Sequence, residues 1–583
     1  MLYLLDYGAG NIQSLTNSLE RLGHHFEWVR DPSDIDKADK LLFPGVGAFD
    51  TAMNALAQEG YLEPLRAYIA SGRPYMGICV GMQALFEGSD ESPDVAGLGI
   101  VPARVKRFAQ YDATHTHKKA VPHIGWSRVQ APEGDDAAAR AFGLKKDEWY
   151  YFVHSYRAAY TPELAPWTLG TTQYGDESYV SVVQHHNVFA TQFHPEKSGA
   201  AGLAVLDGWL RQTGPLASVP RTFVPHSTYA LPTRRIVACL DVRSNDQGDL
   251  VVTKGESYDV RERSGDTGGE VRNMGKPVEL AQRYYAEGAD EVAFLNITSF
   301  RNWALGDQPM LALLRVAAAT IFVPLTIGGG IRDFTDPDGT FHPALDVAHA
   351  YFRAGADKVS IGSEAVSAVE RLLERCAALG AGADPGAAPD TALTNDTGIE
   401  QISHMYGSQA VVVSIDPKRV YVDEGDSVPP AHAASLVRGV DERAGREGQP
   451  AQWWYACTIK GGRETRDVDV VQLARGVERL GAGELLINSI DRDGSNAGFD
   501  TQLIDLVRGA VDISVIASSG AGKPAHFAEV FEPRGATGGA SIEAALAAGI
   551  FHRREVSIGE VKEALAQQGL PVRQSTAVEP VRT

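Results

Sequence analysis

The chain reads as an α/β protein in two parts, an open and largely parallel sheet over residues 1–213 followed by a (β/α)8 barrel with half-barrel duplication over 234–570. Three observations predict this. Strand-like apolar runs alternate with helix-like segments through the first part. A proline-rich stretch then breaks the pattern. Beyond it come eight short aliphatic runs in two halves that repeat each other.

The 583 residues exceed what one core holds, so at least two domains are required. Lys and Arg number 54 against 74 Asp and Glu, a net charge of −20, which disfavours nucleic acid or an anionic membrane as the main partner. The four cysteines, Cys79, Cys239, Cys376 and Cys457, are widely spaced and suggest neither a disulfide framework nor a metal site. No apolar run approaches the roughly 20 residues that span a bilayer, and the start of the chain lacks a basic leader. A cytoplasmic location is expected.

In the first part, residues 2–6, 40–44 and 74–79 read as parallel strands, and 149–154, 179–184 and 189–193 as an added, partly antiparallel section. A helix around 203–211 precedes the linker 214–233, which carries Pro215, Pro220, Pro225 and Pro232. The barrel strands are placed at 236–241, 291–296, 324–328, 358–361, 411–416, 453–458, 484–489 and 513–518. Residues 261–276, 377–397 and 423–449 read as insertions, either loops or decoration, and 571–583 as a C-terminal tail.

The repeat, offset by roughly 175 to 195 residues, carries the chemistry. Val237-Ala238-Cys239-Leu240-Asp241 answers Val412-Val413-Ser414-Ile415-Asp416, and Gly288-Ala289-Asp290-Glu291 answers Gly481-Ala482-Gly483-Glu484. Thr326-Ile327-Gly328-Gly329-Gly330 answers Ala517-Ser518-Ser519-Gly520; Gly355-Ala356-Asp357, leading to Ser363, answers Gly539-Ala540-Ser541, leading to Gly549. Each half thus offers a Gly-rich turn after its third strand and a small-residue turn after its fourth. Such turns let backbone N–H groups approach an anion, though they also simply join strands to helices. Four at matched positions predict a substrate with a phosphate at each end. Asp241 and Asp416 close equivalent strands on opposite sides of the mouth, where two carboxylates suit general acid and base work; an aspartate there can equally cap a helix. Lys254, after the first strand, is a candidate to reach a phosphate and can equally be a solvated loop lysine.

In the first part, Gly77-Ile78-Cys79-Val80-Gly81 has the layout of a nucleophile elbow, which presents the Cys79 sulfur at a helix start. His194 in His194-Pro195-Glu196 is then the base that takes the thiol proton, oriented by the Glu196 carboxylate. Pro44-Gly45-Val46-Gly47 is a candidate oxyanion loop.

On these motifs, with Asp6-Tyr7-Gly8-Ala9-Gly10-Asn11, Val121-Pro122-His123-Ile124-Gly125-Trp126 and Ser489-Ile490-Asp491-Arg492-Asp493-Gly494, residues 1–213 resemble a class I (triad) glutamine amidotransferase. Residues 234–570 resemble the cyclase barrel of imidazole glycerol phosphate synthase, and the fusion resembles the bifunctional form of fungi and plants. The resemblance implies a flavodoxin-like first domain and step five of histidine biosynthesis. Glutamine hydrolysed at Cys79, His194 and Glu196 supplies ammonia, which converts a bisphosphorylated ribotide into imidazole glycerol phosphate and an aminoimidazole carboxamide ribotide. It implies Gly45, Gly47 and Gln83 as glutamine-site residues. Gly329, Gly330 and Ser363 in one half, and Asp493, Gly494, Ser518, Gly520 and Gly549 in the other, are the implied substrate contacts, and Asp241 and Asp416 the acid–base pair. Arg235, Glu291, Lys358 and Glu484 occupy the positions of a charged ammonia gate. No cofactor or metal is implied, and a monomer is expected because the two domains pair within one chain.

Two residues depart from the family pattern: Asn296 stands for an acidic residue and Ser519 for a glycine. Competing readings are the isomerase barrel of the preceding step, which needs no ammonia, another glutaminase–barrel synthase, and a scaffold with relic sites. The pyrophosphatase loop that one other glutamine-dependent synthase requires is not found in the sequence, and where a second relies on Schiff-base lysines at barrel strand ends this chain offers aspartates.

Overall fold

A computed structural model describes residues 1–8, 10–115, 117–132, 136–146, 148–221, 223, 229–244, 250–253, 275–297, 304–423, 426–443, 445–532 and 542–574. Lys254, the glycine-rich step 539–541, nearly all of the 261–276 insertion and the tail beyond 574 lie outside the described residues.

The first part is built on a seven-stranded sheet. Phe26–Val29, Leu2–Leu5, Lys40–Phe43, Tyr75–Ile78 and Val188–Thr191 run parallel, and Glu177–His185 and Thr168–Tyr174 extend the sheet antiparallel. The central strands are continuously apolar because both faces are covered: Tyr75–Ile78 and Val188–Thr191 are buried at every position. These two strands are neighbours with Ile78 opposite Thr191, so Cys79 and the Gln192–Glu196 segment leave the sheet side by side at its carboxyl edge, where open α/β sheets place their sites.

The second part is a closed ring of eight parallel strands: Arg235–Ser244, Glu291–Asn296, Leu325–Gly328, Lys358–Ile361, Val411–Ile415, Glu484–Asn488, Ser514–Ser518 and Ala544–Ala547, the last pairing back to the first. This corrects one strand. Residues 453–458 are a strand, but they belong to Pro450–Ile459 in a separate antiparallel sheet with Pro417–Val422, Val437–Val440 and Glu464–Asp469, outside the barrel. The eighth barrel strand is Ala544–Ala547. The repeat pairs strand one with five, two with six, three with seven and four with eight, as the matched motifs require.

Two of the insertions are packed rather than loose. After the helix Ser363–Ala378, short turns at Pro385–Ala387 and Asp390–Ala392 bury Ala388 and Ala392 in the barrel core, and Arg479 Nε donates to the Ala388 carbonyl at 2.8 Å. In the 423–449 segment His432 is fully buried, stacked on Trp454 at 3.9 Å and bonded to Asp467 and Asp469 at 2.9 and 3.0 Å.

The glutaminase-like part sits on the amino-terminal face of the barrel. Asn11 Nδ2 donates to Gly355 O and Asp357 Oδ1, both at 2.8 Å, and Gly199 N to Phe322 O at 3.0 Å. Trp126 Nε1 donates to Asp290 O at 3.2 Å, while Arg573 covers the Trp126 ring at 4.2 Å. Residues 290, 322 and 357 each lie just ahead of a barrel strand. Among the described residues, no helix is long and apolar enough to cross a membrane.

Candidate active sites and the passage between them

Cys79 ends the strand Tyr75–Ile78 with φ 51° and ψ −104°, a left-handed backbone that a non-glycine residue adopts only under constraint. The turn closes because Gly81 has no side chain: a Cβ there would lie 2.0 Å from the Phe43 carbonyl oxygen. Cys79 N donates to Thr191 O at 2.8 Å, which ties the elbow to the strand leading to His194. His194 Nδ1 lies 2.8 Å from Glu196 Oε1, and its Nε2 has no hydrogen-bond partner among the described residues. Burial opposes a charge on this imidazole, but Glu196 and Cys79 beside it outweigh burial and hold it well above the ordinary histidine range. Gln192 Nε2 donates to Cys79 Sγ at 3.5 Å, and Gln83 Nε2 reaches Gln192 Oε1 and Tyr156 O, both at 3.1 Å.

The loop with Gly45 and Gly47 lies over this elbow. Val80 N, the amide after the nucleophile, donates to Gly45 O at 3.4 Å, so the backbone donor best placed for an oxyanion is occupied by a carbonyl. Tyr7 Oη donates to Val46 O at 2.6 Å, and Ala48 N donates to Met405 O at 3.4 Å, a carbonyl at the end of the barrel helix Gly398–Tyr406. Sequence reasoning did not single out Glu91. Its carboxylate accepts from Phe49 N at 3.0 Å, and burial, with Asp50 adding to it, pushes its pKa up to about 7 against that hydrogen bond. A lone Glu in a Ser/Asp/Glu-rich turn gives no sequence signal of burial.

Below the triad a cavity reaches the barrel floor; its walls include His194, Glu196, Tyr151, Tyr406, Asp357 and Lys358. There Arg235, Glu291, Lys358 and Glu484 form one ring, at most 1% exposed. Arg235 donates to Glu291 at 2.9 Å and also to Glu484; Lys358 Nζ lies 2.7 Å from Glu291 and 2.6 Å from Glu484. Burial works against the Glu484 charge, but Arg235 and Lys358 hold its carboxyl well below the ordinary range. Each residue opens a barrel strand, or follows within one residue of its start, which places the ring at the amino-terminal end of the barrel.

At the opposite end, two clefts open. One is lined by Asp241, Asp493, Gly494, Ser518, Gly520 and Gly549; the other by Gly329, Gly330, Ser363 and Asp416, with Arg243, Arg332, Lys460 and Arg463 around them. Each aspartate therefore sits with the turns of the other half. The two Gly-rich turns are tight in the same way: a Cβ on Gly329 would lie 2.1 Å from Asn296 O, and one on Gly520 2.2 Å from Gly498 O. All predicted site residues but Lys254 are thus located. The cationic hairpin residues Lys460 and Arg463 were missed because they follow a strand assigned to the barrel wall; Lys460 N donates to Ser363 Oγ at 3.0 Å.

Comparison with known proteins agrees with this layout. Residues 3–209 match the family model "Glutamine amidotransferase class-I", and 235–383 and 376–557 match "Histidine biosynthesis protein". The chain is 51% identical over 580 residues to imidazole glycerol phosphate synthase hisHF of Emericella nidulans, covering 98% of both chains. The chain belongs to the imidazole glycerol phosphate synthase family. A second fused synthase, from Schizosaccharomyces pombe, is 52% identical over 98% of this chain and 99% of its own. The synthase of Arabidopsis thaliana named as chloroplastic is 49% identical over 98% of this chain and 89% of its own. As in these fused synthases, both catalytic parts lie on one polypeptide.

Proposed function

We propose that the chain is a bifunctional imidazole glycerol phosphate synthase that hydrolyses L-glutamine in its first domain and uses the ammonia in its barrel. The observation that carries this is the single cavity touching both His194 and Lys358, because it joins a glutaminase triad to the floor of a synthase barrel.

Cys79 attacks the glutamine amide carbon while His194 takes the thiol proton and returns it to the departing ammonia. Water, giving a proton to His194, then attacks the thioester, releasing glutamate and restoring the thiol, and Glu196 holds the imidazole. Gln83 sits beside the nucleophile, and Glu91 supplies the negative charge that the substrate ammonium needs. The oxyanion requires Val80 N–H, so the Gly45 carbonyl must turn away during the reaction. Occupation of the synthase clefts drives that turn, with the 44–47 loop as the moving element. Ammonia then crosses the ring of Arg235, Glu291, Lys358 and Glu484 into the barrel.

In the clefts the ribotide lies with one phosphate on Gly329, Gly330 and Ser363 and the other on Gly494, Ser518, Gly520 and Gly549. Asp241 and Asp416 move protons as the ribotide is cleaved and cyclised to imidazole glycerol phosphate and the aminoimidazole carboxamide ribotide. The test is glutamate release and imidazole glycerol phosphate formation by wild type and Cys79→Ala, with glutamine or with ammonium. Loss of glutamine-driven synthesis only is expected in the variant. Failure of the wild type to form imidazole glycerol phosphate from either nitrogen source overturns the reading.

A further inference from the structure

Three residues, Leu295, Ile297 and Asn488, line both clefts, so a substrate bridging the two phosphate turns must cross them. Only Asn488 has a polar side chain. In the repeat Leu295 and Asn488 are counterparts, each four residues beyond the glutamate that opens its strand, Glu291 and Glu484. The two halves therefore present an apolar group on one side of the ridge and an amide on the other.

Asn488 Nδ2 donates to Asp416 Oδ1 at 3.0 Å and to Ser414 Oγ at 2.9 Å, which engages both of its hydrogens. The amide orientation is set by this partner, since turning it over would set its carbonyl oxygen against a carboxylate. Asp416 is also fixed from behind: Thr458 N and Oγ1 donate to its backbone carbonyl at 3.2 and 2.7 Å. Its carboxylate is thus held by a neutral donor on a rigid strand.

We propose that Asn488 is a positioning residue of the synthase site, holding Asp416 ionised so that Asp416 serves as the base of the aspartate pair. This rests on the synthase reading of the barrel. A hydrogen bond donated to the charged form of a carboxyl favours that form. Among the described residues, the other charged groups lining the cleft with Asp416 are Arg243 from the first strand, Arg332 from the Gly-rich turn, Lys460 and Arg463 from the hairpin, and Glu364 from the helix after strand four. Cys457 faces it from the hairpin strand; burial, then Asp469 and Asp416, push that thiol up and keep it neutral. The four cations line the cleft that holds the proposed phosphate turn, where a bound phosphate would engage them, whereas the Asn488 amide is already bonded to the carboxylate.

The experiment is ammonium-driven imidazole glycerol phosphate formation by the full chain, read as kcat/KM for the ribotide against pH, in wild type, Asn488→Thr and Asn488→Val. The two variants have nearly the same shape and differ in a hydroxyl that can donate to Asp416. The acid limb is expected to move up by about one pH unit in Asn488→Val and by less than half of that in Asn488→Thr. At a pH below the limb this is about a tenfold loss in Asn488→Val that recovers as pH rises. A uniform loss at every pH, or coincident profiles for the two variants, overturns the inference. Wild type forming no product with ammonium instead removes the synthase reading, and the inference with it. Melting curves confirm folding; if Asn488→Val does not fold, Asn488→Ala replaces it in the same comparison.

Discussion

Lys197 and Asp357 form an ion pair of 2.7 Å across the boundary between the two domains. Lys197 directly succeeds the triad residue Glu196, and Asp357 directly precedes the ring residue Lys358. Asp357 is further held by Asn11 Nδ2 at 2.8 Å and by Leu325 N at 2.7 Å, so it sits rigidly on the barrel. This pair gives a short covalent and ionic route from triad to ring. In Lys197→Ala, stimulation of glutamate release by the ribotide is expected to fall about tenfold, the scale of a typical coupling energy. Ammonium-driven synthesis stays within about twofold. Equal loss of both activities shows that the pair only holds the domains together.

Lys358→Met leaves Glu291 and Glu484 with Arg235 as their remaining cation in the ring. Removing one partner of a buried ion network costs about 3–5 kcal/mol, so the urea midpoint falls. Glutamine-driven synthesis is expected to drop while glutamate release and ammonium-driven synthesis persist. Equal loss with added ammonium sinks the gate assignment. The Glu484 carboxyl is depressed in the folded state, so its contribution to wild-type stability is complete above about pH 4.5 and is lost as pH falls below it. Urea midpoints of wild type and Glu484→Gln between neutral and acid pH measure this, and the difference should shrink toward low pH.

Glu91 is mostly protonated below about pH 7 and ionised above it. Since glutamine carries its ammonium throughout this range, kcat/KM for glutamine is expected to rise about fivefold from pH 6 to 7 and about twofold more to pH 8, where it levels off. Glu91→Gln should show a low, flat profile over the same range. An unchanged limb in the variant assigns the titration to another group.

Ser519 occupies the left-handed region at φ 73°, between Ser518 and Gly520 in the second phosphate turn. Left-handed backbone costs a residue with a Cβ about 1–2 kcal/mol relative to glycine. Ser519→Gly is therefore expected to raise stability by about 1 kcal/mol, offset in part by the added freedom of the unfolded chain. A melting temperature below wild type shows that the serine hydroxyl makes a compensating bond.

Much of this was legible because the barrel repeats itself. The matched runs around Asp241 and Asp416, and the glutamates 291 and 484, carry their own alignment. Local propensity misled at one strand. Ala544–Ala547 reads Ala-Ala-Leu-Ala, residues that favour helix, and becomes a strand only by pairing with Ser514–Ser518 and Arg235–Ser244. Trp453 to Thr458, aromatic and β-branched, reads as a core strand and is buried like one, because it is covered by the barrel on one side and the 423–449 segment on the other. Composition left 377–397 open between loop and decoration: its partners Arg475 and Arg479 lie about 90 residues away in sequence, too far for a local pattern to register. Asn488 carried no sequence signal because its meaning lies in what it touches.

The ring at the barrel floor contains two cations and two anions, so its formal charge is zero, and it lies out of contact with solvent. Such a plug offers a migrating species neither a net attraction nor a shell of water to replace its own. An ammonium ion entering it sheds hydration at a cost of several kcal/mol, whereas uncharged ammonia sheds very little. On the proposed route the floor would act as a filter by charge state: nitrogen would cross as the free base, its proton would remain on the glutaminase side, and it would reach the synthase clefts already nucleophilic.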